Sequence, residues 1–344
     1  MSKKRIFMYA THPALVDQES LIFYKHDFDV YTAAWATNTR SLVPDDCIAF
    51  NSKHFYQGKC EFLSANDIAV LSKIDIGSRG IVVDPNIQKV LLDNFDVLYV
   101  SQVTPWLMAY AEEFLKLGRP VIFRTFGYSL GSWGQPSDYQ RLYKYPTFYI
   151  VPTDPKEVEL DTFKGYPTYQ IMAAINKELI NLDNTTDDYG KFMLVVFRDS
   201  GLVRNSRVKS SIEDIMKLVL VDKSANFITS DELDTLFNSC YLFMDVSSKL
   251  LRYSSLEAIM HNKPIIVYSR SDMLQYMIKT GFKSEVKCDF DGYGDLDTLR
   301  WCADNPVSMK QLATDEKMWL DRLIVDADNK WDTLIGEMLC QKEV

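Results

Sequence analysis

The sequence predicts an α/β protein of two domains, each built on a parallel β-sheet with flanking helices. The chain has 344 residues, more than one hydrophobic core usually supports. Short apolar runs alternate with amphipathic stretches of helical length, as they do in βαβ units. Hydrophobic residues make up 47% of the chain and charged residues 25%, a balance typical of folded globular proteins.

In the first half, several apolar runs predict strands, and one stretch between two of them predicts a helix. This helix covers 105–117, where Leu107, Tyr110 and Phe114 recur at helical spacing and Gly118 ends the pattern. Strand, helix and strand then form a complete crossover. The predicted strands are 6–10, 30–34, 81–83, 97–100, 121–124 and 148–151.

The second half repeats this alternation after a polar stretch, 181–190, that has the composition of a surface linker. We therefore predict a first domain over 1–180, a second over 190–320, and a closing helix over 321–344 that packs back on the first domain. The predicted strands of this half are 192–197, 226–228, 242–246 and 264–268. The predicted helices are 211–219, 230–238, 255–261 and 272–279.

Charge and cysteine usage limit the function classes. The formal net charge of −9 argues against non-specific nucleic-acid binding, which needs a basic face. The apolar run 6–10 is too short for a signal peptide or a membrane span, and the six cysteines include no Cys-x-x-Cys pair. We expect a cytoplasmic protein with free thiols. At most, the basic start Lys3-Lys4-Arg5 supplies peripheral contact with the inner membrane face.

The segment 242–261 carries the strongest functional signal. A buried strand ends in a polar loop, and Ser254 or Ser255 then caps a helix. The free amide groups and the positive dipole end at the start of a helix suit a phosphate group. Glu257 follows in the first helical turn, near the right place to accept hydrogen bonds from ribose hydroxyls. The alternative is an ordinary βαβ unit with a well-capped helix.

This pattern resembles the nucleotide-binding half of GT-B glycosyltransferases, as a divergent relative of the family 4 (group 1) enzymes. There a strand, a polar loop, a Ser/Gly-Leu-Glu-Ala helix and a Gly-x-Pro-Val-Ile strand recur. The resemblance implies that Glu257 binds the donor ribose and that Tyr253, Ser254 and Ser255 bind the diphosphate. Retaining members often carry another Glu eight residues earlier, where this chain has Lys249. We include Lys249 among the donor-binding residues, and the stereochemical outcome stays open.

Four cations follow the first strand of the second half. The carboxyl ends of strands are where α/β sheets bind ligands, and Arg side chains pair well with phosphate oxygens. GT-B enzymes often place an Arg and a Lys here to neutralise the leaving diphosphate without a metal. The alternative is a solvated basic loop. The resemblance implies the pairing of Arg198 with one of Arg204, Arg207 or Lys209.

Two loops of the first half predict the acceptor side of the site. His12, Asp17 and Glu19 follow the first strand, and any of these side chains can take a proton from an acceptor hydroxyl; a structural role for each stays open. Many GT-B enzymes have His-Gly after the strand at 121–124 to touch the donor sugar. The resemblance implies acceptor or sugar contacts for the residues found there, Phe126, Gly127 and Tyr128.

The resemblance implies a metal-independent, hexosyltransferase-like glycosyltransferase with a GT-B fold, its two Rossmann-like domains facing each other across a cleft. It further implies a UDP- or GDP-sugar as co-substrate, no cofactor, and a glycan or lipid-linked acceptor in surface-polysaccharide or glycoconjugate synthesis. Two alternatives stay open: a nucleotide-sugar epimerase of the same fold, and a non-catalytic nucleotide-sugar-binding subunit. The sequence leaves the donor base, the sugar, the acceptor and the oligomeric state undetermined.

Overall fold

The chain divides into two compact units in the computed structural model. The first unit comprises Met1–Ala174 and Asp326–Val344, and the second comprises Ile175–Val325. The domain bounds drawn from the sequence stay predictions. The structure describes residues 3–10, 13–34, 48–51, 63–71, 83–101, 105–125, 139–159, 163, 165–175, 177, 180, 182, 192–197, 206–222, 230–246, 253–290 and 296–340.

The described strands of the first unit form one parallel sheet. They are β1 (Lys4–Ala10), β2 (Phe28–Ala34), β3 (Ile48–Asn51), β4 (Val97–Ser101), β5 (Val121–Thr125) and β6 (Phe148–Pro152). The helices are α1 (Pro13–Lys25), α2 (Ala65–Leu71), α3 (Pro85–Asn94), α4 (Pro105–Lys116) and α5 (Pro155–Val158). The order β3-β2-β1-β4-β5-β6 is that of a Rossmann sheet, with its switch point between β1 and β4.

Local chemistry explains why the helices of the first unit cover its sheet. The strands β4, β5 and β6 are buried along their whole length, as expected for a parallel sheet covered on both faces. Asp84 caps α3 by accepting the Asn86 N–H at 2.8 Å, and Pro85 follows at the first helical position. The Asp84 N–H donates to the Tyr110 hydroxyl of α4 at 2.8 Å. This bond joins two helices that share one core with the sheet.

The second unit contains a second parallel sheet of β7 (Phe192–Phe197), β8 (Lys217–Asp222), β9 (Leu242–Asp245), β10 (Ile265–Tyr268) and β11 (Asp289–Phe290). Its helices are α6 (Ser206–Glu213), α7 (Ser230–Ser239), α8 (Tyr253–Met260), α9 (Asp272–Lys279), α10 (Leu296–Asp304) and the first part of α11 (Pro306–Cys340). The strand order is β11-β10-β9-β7-β8. The switch point therefore lies between β7 and β9, and ligands of such sheets bind at the carboxyl ends beside it.

Most predicted elements that fall on described residues are confirmed, and one of the exceptions has a clear physical reason. The predicted helix 211–219 is wrong in its second part, because α6 ends at Glu213 and β8 begins at Lys217. The run Leu218 to Val221 alternates Leu with β-branched Val, and its pairing with β7 stabilises a strand there. Of the predicted strand 81–83, the structure describes only Val83, which lies outside any strand. The predicted strand 226–228 lies outside the described residues. Strand β3 was not predicted.

Two further findings concern the compartment expected from the sequence. Among the described helices, none is both long and apolar enough to cross a lipid bilayer. Within the described residues, Cys240, Cys288 and Cys302 are buried, Cys340 is exposed, and they form no disulfide with one another.

Candidate functional site

Helix α8 begins near the carboxyl edge of the second sheet, where the sequence predicts the donor diphosphate. β9 ends at Asp245, and α8 starts at Tyr253. All residues of α8 are buried, including the predicted donor-binding residues Ser254 and Glu257. Residues 247–252 lie outside the described residues. The described residues of this helix are therefore packed against the rest of the protein.

A short hydrogen bond joins the start of α8 to the end of β9. The Ser255 hydroxyl donates to Oδ2 of Asp245 at 2.6 Å, and these residues are 0% and 2% exposed. Bonds of this length are typical of a hydroxyl that donates to a carboxylate. The sequence predicts that Ser255 binds the donor. In the structure its hydroxyl donates a hydrogen bond within the protein, and the whole residue is buried.

The other end of α8 is held by a buried histidine that follows the helix. Nδ1 of His261 lies 2.7 Å from Oδ1 of Asn238, and Nε2 lies 3.2 Å from Oδ1 of Asp234. The imidazole also stacks on Phe237, with ring centroids 5.4 Å apart. Asn262 then takes a positive φ of 56°, the left-handed turn that often ends a helix. The helix is thus anchored to β9 at its start and to α7 at its end.

Of the four predicted cations of the second unit, the structure describes the side chain of Lys209 alone. Nζ of Lys209 lies 3.7 Å from Oε1 of Glu213, one helical turn along α6, and both side chains are largely exposed. Such surface pairs are weak, so they leave Lys209 able to meet an anion. Arg207 lies in α6, but its side chain is outside the described residues, as are three further predicted donor-binding residues, Arg198, Arg204 and Lys249.

The predicted acceptor residues belong to the first unit, and most lie outside the described residues. Asp17 lies in α1, where the structure describes its backbone position alone. His12 and the loop residues Phe126, Gly127 and Tyr128 are not described. The structure does describe the elements next to them, namely α1 after His12 and β5 before Phe126. Two buried polar groups contact these elements, and the sequence analysis missed Glu157 and Arg124, one residue of each.

The first missed group is the carboxyl of Glu157 at the carboxyl edge of the first sheet. The hydroxyl of Thr125, the last residue of β5, donates to Oε2 of Glu157 at 2.5 Å, and the Asp154 amide donates to the same oxygen at 3.3 Å. The other oxygen, Oε1, has no partner within the described part of the chain. Burial raises the pKa of Glu157, and the bonds from Thr125 and Asp154 partly offset this rise.

The second group is a fully buried ion pair between α1 and β5. Glu19, which the sequence predicts as an alternative base to Asp17, pairs here with Arg124, which the sequence analysis missed. Nη2 of Arg124 donates to Oε1 of Glu19 at 2.6 Å, and Nε donates to the same oxygen at 3.0 Å. Both side chains are 0% exposed. The Tyr99 hydroxyl of β4 donates to the other Glu19 oxygen at 2.5 Å. The pair therefore fixes α1, which carries Asp17, against the strand that leads into Phe126.

The remaining donors of Arg124 bond to backbone carbonyls. Nη1 donates to the carbonyl oxygen of Val151 at 3.1 Å and to that of Ile171 at 2.7 Å. Nη2 donates to the carbonyl oxygen of Met172 at 2.9 Å. The guanidinium also lies 5.4 Å from the ring centroid of Trp331 in α11, a cation–π distance. Every nitrogen of this guanidinium is thus hydrogen-bonded. Glu19 and Arg124 are 105 residues apart, so no local pattern in the sequence marks them as partners.

Comparisons with known proteins identify the fold. No family model matches the chain, and no curated protein matches its sequence. Solved structures do match along almost its whole length. Sucrose-phosphate synthase from Thermosynechococcus elongatus matches with a TM-score of 0.65 and 10% identity, over 99% of this chain and 100% of that chain.

Two further similar structures contain nucleotides. Anabaena HepE in complex with UDP and glucose matches with a TM-score of 0.62 and 11% identity, over 99% of this chain and 100% of that one. An S. aureus TarM mutant in complex with UDP and other ligands matches with a TM-score of 0.64 and 10% identity, over 97% of this chain and 100% of that one. At such identities the likeness shows the fold alone. The predicted GT-B fold with two Rossmann-like sheets is confirmed.

Proposed function

We propose that this protein is a glycosyltransferase that moves a sugar from a nucleotide-sugar donor to a hydroxyl group. The observation that carries the proposal is the placement of α8 after β9, beside the switch point of the second sheet, with Glu257 near its start. Helix starts at this edge of a Rossmann-like sheet suit a diphosphate. The complexes of HepE with UDP-glucose and of TarM with UDP support a nucleotide-sugar donor for this fold.

The donor side of the reaction belongs to the second unit in this proposal. The acceptor oxygen attacks the anomeric carbon, and the bond from that carbon to the diphosphate oxygen breaks. The diphosphate leaves with the electron pair, and the first-turn amides of α8 stabilise its charge. Arg198 and one neighbouring cation add to this stabilisation. Glu257 accepts hydrogen bonds from the ribose hydroxyls.

The acceptor side belongs to the first unit. The proton of the acceptor hydroxyl passes to a base, for which we propose His12 or Asp17. Residues 126–128 contact the sugar or the acceptor. We further propose a UDP- or GDP-sugar as the donor and a hexosyl group as the transferred sugar. The acceptor is a glycan or a lipid-linked hydroxyl in surface-polysaccharide or glycoconjugate synthesis, at the cytoplasmic face of a membrane.

A nucleotide screen tests the proposal. We expect one of UDP, GDP, ADP, TDP and CMP to raise the melting temperature of the protein by about 5 °C or more near saturation, because a ligand that binds only the folded state stabilises it. Glu257→Gln keeps the shape of the buried side chain and weakens its acceptor strength, so the shift should shrink. The exposed Glu285→Gln in the same unit is the matched control and should keep the full shift.

Activity separates an enzyme from a binding subunit. In the presence of the matching nucleotide sugar and no acceptor, we expect slow release of the nucleoside diphosphate, since water can replace the acceptor hydroxyl. A wild-type protein that no nucleotide stabilises would contradict the proposed function. Binding without any turnover, with or without candidate acceptors, would favour the non-catalytic subunit instead.

A further inference from the structure

We propose that Arg124 is a conformational anchor, which holds both passages of the chain between the two units against the sheet of the first unit. The chain leaves the first unit after Ala174 and returns to it at Asp326. We call 168–174 the exit segment and 326–340 the return segment. Both belong to the first unit, and both contact the guanidinium of Arg124. This inference goes beyond the proposed function and does not depend on it.

The exit segment is held by hydrogen bonds from two sides. The Tyr169 and Ile171 amides donate to backbone carbonyls of β6 at 2.9 Å and 3.0 Å. The carbonyls of Ile171 and Met172 accept bonds from Arg124 at 2.7 Å and 2.9 Å. Every residue from 171 to 175 is buried, and buried carbonyls need partners within the protein. Arg124 thus bonds to two consecutive residues just before the chain leaves the unit.

The return segment meets the same guanidinium through an aromatic ring. The guanidinium lies 5.4 Å from the ring centroid of Trp331, which is fully buried. The attraction between a cation and an aromatic face is stronger where water is excluded. A second contact joins the two segments directly, because the Tyr169 hydroxyl donates to Oε2 of Glu337 at 2.6 Å. The two passages of the chain therefore converge on one side chain of β5.

Packing alone does not require a buried ion pair between Arg124 and Glu19. Apolar residues of similar volume can often replace such a pair with no loss of stability. Apolar contacts do not set a direction, whereas a guanidinium has five N–H donors in one fixed plane. These donors join β5 to α1, β6 and the exit segment, and the return segment contacts the same group. The pair therefore specifies where both passages lie.

Because one side chain holds both segments, the segments should open together. Folded proteins open locally in cooperative units. Loss of the guanidinium removes hydrogen bonds from the exit segment and the ring contact from the return segment in one step. Strands β1 and β2 are held by their own pairing, so they should stay closed when the two segments open.

Hydrogen exchange of the full chain, followed by mass spectrometry, tests the proposal on Arg124→Lys. Lysine keeps a positive charge beside Glu19, but its three donors cannot replace a planar group that reaches three carbonyls and a carboxylate. We expect amide exchange to become about tenfold faster in the exit segment and in the return segment alike. Exchange in β1 and β2 should change by less than about twofold.

Arg119→Lys is the matched control in the same unit. Arg119 donates to the carbonyls of Leu92 and Phe95, and its guanidinium lies 5.9 Å from the ring centroid of Phe114. It therefore makes the same two kinds of contact, but with elements other than the exit and return segments. Its replacement should leave exchange in both segments within about twofold of the wild type.

Trp331→Leu tests the anchor from the other segment and leaves both charges of the ion pair in place. The exit segment does not contain Trp331, yet its exchange should become about threefold faster or more, because Arg124 loses part of its support. Trp331→Phe keeps an aromatic ring for the guanidinium and should have a smaller effect on the exit segment.

Three results for Arg124→Lys would overturn the inference. Unchanged exchange in both segments would mean that Arg124 holds neither, and faster exchange in one segment would mean that the two are held separately. An equal increase throughout the first unit, β1 and β2 included, would make Arg124 an ordinary core residue. If Arg124→Lys does not fold, wild-type exchange of the exit segment in Trp331→Leu would overturn the inference instead. These measurements involve no nucleotide, so the proposed function fails or survives separately.

Discussion

The two units hold their fully buried carboxyl groups in different ways. In the first unit Glu19 faces Arg124, and each nitrogen of that guanidinium donates a hydrogen bond. In the second unit Glu316 of α11 is equally buried, and one of its oxygens accepts the Ile265 N–H at 2.9 Å. The other oxygen has no partner among the described residues. One carboxylate is thus neutralised by a cation, and the other has a single backbone donor.

This difference changes the chemical state that each carboxyl prefers. Burial raises the pKa of Glu316 well above its ordinary value, and the nearby Asp315 adds to the rise, while the Ile265 N–H opposes it. The folded state therefore holds the Glu316 proton more tightly than the unfolded state does. The comparison teaches that burial without a cation favours the neutral form of an acid, whereas an acid paired with arginine can fix several elements to one another.

The two solutions also lie at different places relative to the proposed chemistry. Arg124 is the next-to-last residue of β5, immediately behind the predicted sugar-contacting loop. Glu316 bonds to Ile265, the first residue of β10, at the end of the sheet opposite the ligand-binding edge. The ion pair therefore lies beside a predicted part of the site, while Glu316 lies at the edge of its own sheet that is opposite the predicted donor site.

Breaking the ion pair should give the largest effect on stability. Arg124→Met leaves Glu19 buried without its cation, and breaking a buried pair in this way typically costs about 3–5 kcal/mol. We expect the free energy of unfolding of the first unit to fall by this order, measured by urea denaturation followed through tryptophan fluorescence.

The double variant Glu19→Gln with Arg124→Met separates two contributions to the loss of stability. One is the lost attraction between Glu19 and Arg124, and the other is the charge of Glu19 left buried without a partner. The double variant should recover much of the loss, because no charge is then left buried. Lys89→Ala breaks an exposed pair with Asp93 in the same unit and should change stability little, because surface pairs contribute little. An Arg124→Met protein that unfolds like the Lys89→Ala control would remove the basis of the comparison.

A pH series on Glu316→Gln should give the second effect. Because the folded state holds the Glu316 proton more tightly than the unfolded state, wild-type stability falls as the pH rises from about 4.3, the ordinary glutamate pKa, towards the folded pKa. The slope from this group is at most about 1.4 kcal/mol per pH unit. Because glutamine cannot ionise, the stability of the variant relative to the wild type should increase as the pH rises. A constant difference between pH 5 and pH 9 would show that Glu316 carries no extra proton.

Local sequence signals predicted most of the fold, whereas contacts distant in sequence determine the part of the site that was missed. The helix 272–279 was predicted with its final bounds, since Ser271 is a clear cap and the apolar residues repeat at helical spacing. Ser255 was singled out for its place before Glu257, but its partner Asp245 was not. Burial and partner choice depend on how strands and helices pack, and one sequence does not display these.

The same pH experiment on Glu157 should give the smallest effect and the sharpest test of the comparison. Glu157 belongs to the first unit, yet it is not paired with a cation in the manner of Glu19, and burial raises its pKa. The charge of Arg124 and the bonds from Thr125 and the Asp154 amide oppose this rise, so the folded state favours the proton less than it does at Glu316. The free energy of unfolding of Glu157→Gln should therefore increase relative to that of the wild type as the pH rises. This increase should extend over a narrower pH range than it does for Glu316→Gln. A gain as large as that of Glu316→Gln would mean that these bonds do not stabilise the ionised form. No increase in relative stability would mean that Arg124 neutralises the carboxyls of both Glu19 and Glu157. The difference in behaviour would then separate the two units, and it would not separate acids with a cation from acids without one.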